Sequence, residues 1–296
     1  MFGVSSRRGR GDGAEHQYVM FLSSENVDLF PADATGWARV VGAEEDILRP
    51  VRSFGKRLTR FVGSVVRPEN GIAHDKFVYL PVAPAHAPNI NRSDFLRKKL
   101  RISPDKTIVL HSGAFSDHTC AIELLEGATR WPKDFALVVH TSHRPKKSDP
   151  HIAAACNITC PNLHLSMDPL SPRAYERMVA SADMGLVLYK CVPGKPGSFA
   201  FQKNLANIGL SSGKFALYMK CALPTVTSSQ STYRELLREY DFGISLADVR
   251  ELDAVLRDLR DKYAHHSAEA RRLFEEKLAF DTYWDTVSRR ICVAMK

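Results

Sequence analysis

Ser211-Ser212-Gly213-Lys214 stands where a loop should hand over to a helix. A serine there can cap the helix, because its hydroxyl accepts from a first-turn N–H. The remaining first-turn N–H groups stay unpaired, and the helix dipole adds positive potential. Gly213 lets a ligand approach the backbone, and Lys214 adds a full charge. This chemistry suits a phosphate. The same residues also read as an ordinary capped helix with a solvated lysine. The segment is not a P-loop: three residues separate Gly209 from Gly213, and Phe215 follows the lysine where Ser or Thr should stand. Nor is it a Gly-x-Gly-x-x-Gly dinucleotide motif.

The elements around it follow a regular plan. TIVLHSG, FALVVHT, NLHLS, MGLVLY, LPTVTS and FGISL are short apolar runs, preceded by KFVYLPVAP. Helical patterns separate them: NRSDFLRKKLRIS with Asn91 or Ser93 as N-cap, CAIELLEGATRW, and a helix opened by Ser171-Pro172. The last shows one face at Tyr175, Met178, Val179 and Ala182. The helix after Ser212 has a stripe at Phe215, Tyr218, Met219 and Ala222. Further helices are predicted from about Ser231, over VRELDAVLRDL, and as one or two from Ser267 to about Cys292. Continuous apolar strands alternating with helices predict an α/β fold, a doubly wound parallel sheet. Ligands of such sheets bind beyond the carboxyl ends of the strands. That singles out residues 111–115, 140–143, 166–170, 189–209 and 227–232.

The chain of 296 residues is 44% hydrophobic and 25% charged, ordinary values for a water-facing globular protein. Its net charge of +8 favours anionic partners. No aromatic-studded basic platform or nucleic-acid motif accompanies that charge, so nucleic acid is not an expected partner. The six cysteines form no Cys-x-x-Cys pair and read as buried, reduced thiols. Residues 1–16 are polar and Gly/Arg-rich, read as a disordered tail without a secretory pattern. No apolar run reaches the roughly 20 residues of a membrane span. A cytoplasmic location is the expectation. Over 47–67, Val51, Phe54, Leu58, Phe61, Val62 and Val65 recur at helical spacing between Arg52, Lys56, Arg57, Arg60 and Arg67. That basic amphipathic helix reads either as a surface helix on a core or as a contact with an anionic membrane. His111, His118, His140, His143 and His151 lie near predicted strand ends, but no His-x-x-x-His or Cys-x-x-Cys spacing supports a metal among them. The basic loop 143–147 reads as a solvated turn or an anion contact, Asp168 as a turn residue or a ligand contact, and Glu235 as a surface acid or a site residue.

SSGKFALYMKCALPTVTS followed by YRELLREYDFGISLADVRELDAVL resembles the nucleotide-sugar-binding half of retaining "group 1" glycosyltransferases of the GT-B fold. The matching features are Ser211 to Lys214, Tyr218-Met219 with Leu223-Pro224, Glu235-Leu236, and Gly243. LRKKLRISPDKTIVLHSGAF and LSPRAYERMVASADMGLVLY resemble the opening strand and the Ala-Asp passage of that half. The resemblance covers roughly residues 76–290. It implies a Rossmann-like GT-B donor domain over 76–296, behind a reduced N-terminal portion, 17–75. It implies transfer of a sugar from a nucleotide-sugar to a carbohydrate or glycolipid acceptor, as in polysaccharide biosynthesis, at the inner membrane surface and without a metal. The alternative is a non-catalytic nucleotide-sugar-binding or assembly subunit. Donor-binding residues implied are Gly113, Ser166, Met167, Lys190, Lys203, Ser211, Ser212, Gly213 and Lys214. No catalytic residue is implied. Two features depart from the family. Gly113 is followed by Ala114-Phe115-Ser116-Asp117-His118-Thr119, with no Arg or Lys until Arg130. The family's Glu-x7-Glu pair falls on Gly209 and Leu217. The stretch before residue 76 is too short for a full acceptor domain, and a chain without one is expected to bind donor but transfer poorly.

Overall fold

The computed structural model describes residues 2–4, 20–22, 81, 84, 92–141, 149–191 and 208–294. Phe2–Val4 (β1) and Met20–Leu22 (β2) pair as an antiparallel hairpin, the second lying within the predicted QYVMFLSS strand. The amphipathic pattern at 47–67, most of KFVYLPVAP, the 143–147 loop and Lys203 lie outside the described residues.

Six strands form one sheet: β3 (Thr107–Ser112), β4 (Phe135–His140), β5 (Leu163–Ser166), β6 (Met184–Val187), β7 (Thr225–Ser228) and β8 (Gly243–Leu246). Their order is β5-β4-β3-β6-β7-β8, every pair parallel. This is the doubly wound order, and chain direction across the sheet reverses between β3 and β6. The six strands predicted from TIVLHSG to FGISL are all present. β4 is buried along its whole length, as a parallel strand covered on both faces must be.

The helices are α1 (Phe95–Leu100), α2 (Ala121–Ala128), α3 (Pro150–Asn157), α4 (Pro172–Val179), α5 (Gly213–Lys220), α6 (Ser231–Tyr240), α7 (Leu252–Asp261), α8 (Tyr263–Leu273) and α9 (Asp281–Ala294). One apolar cluster packs α1, α4, α5, α6 and α8 on one face of the sheet, and a second packs α2, α3 and α7 on the other. Ser171 caps α4 as predicted, its Oγ accepting from Ala174 N at 3.3 Å. Three expectations are corrected. Asp94, not Ser93, occupies the cap position of α1, but its side chain caps nothing and the Ser93 hydroxyl accepts from Phe95 N at 3.2 Å, while Asn91 lies outside the described residues. The C-terminal helices start at Tyr263 rather than Ser267, and a π-helical turn, Phe274–Leu278, precedes α9. Ala222 leaves the α5 stripe with φ +54, ending that helix.

Of the described cysteines, all free, Cys120 and Cys221 are buried as expected, whereas Cys156 and Cys191 are exposed. Burial pushes the Cys120 thiol up to about 11 and the Cys221 thiol up to about 12, so both are inert.

Candidate functional site

The β3/β6 switch point gathers the groups of interest. Ser112 ends β3 and Gly113 follows with φ +101, a conformation glycine adopts without strain. Among the described residues, and apart from its chain neighbours, no atom stands within 4 Å of where a Gly113 side chain would begin, so the backbone there is open to a ligand.

Across the switch point, the segment after β6 is fixed through Tyr189. Its N–H donates to Ser228 Oγ at 2.8 Å, and Gln230 Nε2 donates to its carbonyl at 2.9 Å. Its hydroxyl lies 2.8 Å from Ser212 Oγ. Ser212 is the N-cap of α5 and accepts from Phe215 N at 3.4 Å, which resolves the choice between the two serines. Ser211 sits one step back, in the 3-10 turn Gly209–Ser211.

Lys214 does not behave as a solvated lysine. It is 6% exposed, and its Nζ stands 4.6 Å from the centre of the Tyr189 ring, a cation-π contact. Its charge reaches across to the β3 side. His111 is fully buried and falls to about 3, through burial first and then Lys214. His118 is lowered by the same two causes in the same order. Lys214, His111 and His118 therefore share one electropositive neighbourhood beside Gly113. The His111 and His118 contributions were not predicted from sequence, since only the fold brings them to Lys214.

Other predicted residues take different positions. Lys190 donates its backbone N–H to His118 O at 3.0 Å, and its ammonium pairs with Glu123. Ser166 is buried, its Oγ 3.1 Å from His140 Nδ1, and Met167 packs partly buried beside it. Asp168 pairs with Lys99 at 2.7 Å. Glu235 is exposed on α6. Gly209 has φ +42 and sits against Thr232, and Leu217 packs against the apolar core, so neither position offers a carboxylate to a ribose.

Next to the end of β3 lies a chain of hydroxyls, buried at Ser112 and Tyr218 and partly buried at Tyr175. Tyr175 OH donates to Ser112 Oγ at 2.8 Å, and Ser112 Oγ lies 2.8 Å from Tyr218 OH. Tyr218 OH donates to Leu110 O at 3.2 Å and accepts from Ser112 N at 3.1 Å. Tyr218 reaches this place because Gly185 has no side chain: a Cβ there would lie 2.3 Å from the ring.

A cavity of about 560 Å3 lies at the other end of the strands, lined by Arg92, Thr107, Asp183, Cys221, Arg260 and Tyr263 among others. Its charges are already matched. Asp183 pairs with Arg92 and Arg97 and accepts from Ile108 N at 2.7 Å, while Arg260 pairs with Asp134. Ligands of doubly wound sheets bind at the carboxyl ends instead, so the switch-point crevice is the candidate site.

No protein-family model and no curated protein matches the chain. Solved structures match in fold. A glycosyltransferase from Rickettsia africae superposes with a TM-score of 0.57 at 9% identity, over 77% of this chain and 59% of that one. Anabaena HepE, solved in complex with UDP-glucose, superposes with a TM-score of 0.56 at 11% identity, over 81% of this chain and 62% of that one. This is the fold of the GT-B glycosyltransferases. The chain spans less than two thirds of the length of these two GT-B structures. Its six-stranded parallel sheet with one switch point is the part of the chain that shares this fold.

Buried histidines give the domain a pH dependence. His111 is held to about 3 and His140 to about 4, each chiefly by burial, against roughly 6.5 in an unfolded chain. With folded values depressed, the unfolded state binds protons first. Stability is then fully present above about pH 6.5 and is lost as pH falls through about 4 for His140 and about 3 for His111. Two such groups give a slope of up to about 2.7 kcal/mol per pH unit. Urea midpoints at pH 7, 6 and 5 should fall steadily, and a flat profile would contradict the burial of both rings.

Proposed function

We propose that the switch-point crevice binds the diphosphate of a nucleotide-sugar, and that the chain takes part in glycosyl transfer. The observation that carries this reading is the buried Lys214 at the capped start of α5, whose charge reaches His111 and His118 on either side of the open backbone at Gly113. A helix start with one cation is a seat for phosphate. The base and ribose would extend toward Ser166 and Met167 at the end of β5, and Lys190 and Lys203 remain candidates for phosphate contact. Anabaena HepE, of like fold, was solved with UDP-glucose. In a retaining transfer the protein's work is to position donor and acceptor and to stabilise negative charge on the departing diphosphate. Lys214 and the α5 N–H groups do the second of these. No resident metal is required by this scheme.

The acceptor proposed is a carbohydrate or glycolipid, as in polysaccharide biosynthesis at the cytoplasmic face of a membrane. The apolar and basic alternation at 47–67 supports a peripheral contact with anionic lipid. Co-sedimentation with anionic vesicles should be strong at low salt and weak at high salt. Binding that ignores salt, or none at low salt, would count against it.

A second reading, a nucleotide-sugar-binding subunit without transfer, is favoured by Gly209 and Leu217 at the positions of the family's carboxylate pair. Incubation with a panel of nucleotide-sugars separates the two. Release of nucleoside diphosphate by transfer or hydrolysis supports the enzyme, whereas binding with no turnover supports the subunit.

A further inference from the structure

At the other end of the sheet from the crevice, α6 ends at Asp241, which precedes β8. Asp241 is left-handed, φ +36, and its backbone N–H closes the helix on Leu237 O at 3.1 Å. Its carboxylate lies between two adjacent imidazoles of α8. His265 Nε2 is 2.7 Å from Oδ2, and His266 Nδ1 is 3.7 Å from Oδ1. One ligand atom from each residue lies within 4.8 Å of the others.

His266 has an unresolved hydrogen-bond problem. It is 3% exposed, and its Nδ1 lies 2.6 Å from the carbonyl oxygen of Asp241. Its Nε2 is buried with no hydrogen-bond partner among the described residues. If Nδ1 carries the proton, the carbonyl bond is made and Nε2 keeps an unmatched lone pair. If Nε2 carries it, two lone pairs oppose each other at Nδ1. A cation at Nδ1 takes that lone pair and the facing Asp241 carbonyl oxygen together as ligands, with the ring proton held at Nε2.

We propose that Asp241, His265 and His266 form a binding site for one divalent cation of the zinc class, tying the end of α6 to α8. Two imidazoles with a carboxylate suit zinc, which bonds nitrogen and oxygen at about 2.0–2.2 Å. Ligands at that radius stand roughly 3–4 Å apart, so modest rotation of the half-exposed His265 closes the site. Glu269, one turn further along α8, feels the charges of both His265 and Asp241 while bonded to Arg272, and adds negative potential nearby. Lys262 opposes it, though Nζ is paired with Asp258 at 2.9 Å. The site is remote from the donor crevice, so the ion is a structural clamp and takes no part in transfer.

The test is a calorimetric titration of the full chain with Zn2+ alone, in a Cys156→Ser, Cys191→Ser background that removes the exposed described thiols. One saturable equivalent is expected. His265→Ala and Asp241→Asn should each weaken binding at least tenfold; asparagine tolerates the left-handed backbone, so the second variant keeps the turn. With Zn2+ at about 100 times its dissociation constant, Tm should rise by roughly 5–10 °C in the parent and not in His265→Ala. Absence of saturable binding, or equal binding by parent and both variants, overturns the site.

Discussion

Replacing Lys214 with alanine or methionine should weaken nucleoside diphosphate binding by roughly 10- to 100-fold. A charge-assisted bond to an ionised group contributes about 1.5–3 kcal/mol, and each 1.4 kcal/mol is tenfold in affinity. The parent nucleoside should bind the variant as it binds the wild type, within about twofold, because the charge meets phosphate and not base. Methionine is the better probe, since Lys214 is buried and alanine would also leave a void over the Tyr189 ring. Calorimetry of both ligands on both proteins reads the difference directly. Equal loss for nucleoside and diphosphate would mean that Lys214 supports the shape of the crevice rather than the phosphate.

The second large effect is on stability. Gly185→Ala places a Cβ 2.3 Å from the Tyr218 ring. That ring cannot yield easily, because it is fully buried and its hydroxyl bonds both Ser112 and Leu110. Overpacking of this kind costs about 1–3 kcal/mol. The displacement passes to Ser112 and so to the Gly113 turn, and diphosphate affinity should fall with stability. Tyr218→Phe removes the hydroxyl and keeps the ring. It should destabilise by about 1–3 kcal/mol, because the buried Ser112 N–H and hydroxyl lose the Tyr218 hydroxyl as partner. Urea denaturation of the three proteins checks this, and an unchanged midpoint for Gly185→Ala would contradict the packing.

The sheet was legible in the sequence because parallel strands buried on both faces are written as unbroken apolar runs, and TIVLHS or FALVVH needs no alternation to be recognised. The start of α5 was legible for a local reason, since a serine before a helix caps it whatever surrounds it. The burial of Lys214 was not legible. It depends on Tyr189, held in place by Ser228 at the end of β7 and Gln230 just after it, and no local pattern encodes that distance. The same holds for His111 and His118, which acquire a role only through the Lys214 charge across the switch point. Lys190 suited phosphate by its sequence position, and its pairing with Glu123 is a contact that only the fold makes. Asp241 and His265 lie 24 positions apart, so their meeting also belongs to tertiary structure alone.

The most direct test of the central claim is a phosphate-series titration of the full chain. Nucleoside, nucleoside monophosphate and nucleoside diphosphate are compared by calorimetry, for uridine, adenosine and guanosine. For at least one base, affinity should rise at each added phosphate, with the diphosphate at least tenfold tighter than the nucleoside, and Lys214→Met should abolish that gain. No saturable binding with any base, or equal affinity along the series, would contradict a diphosphate seat at the start of α5.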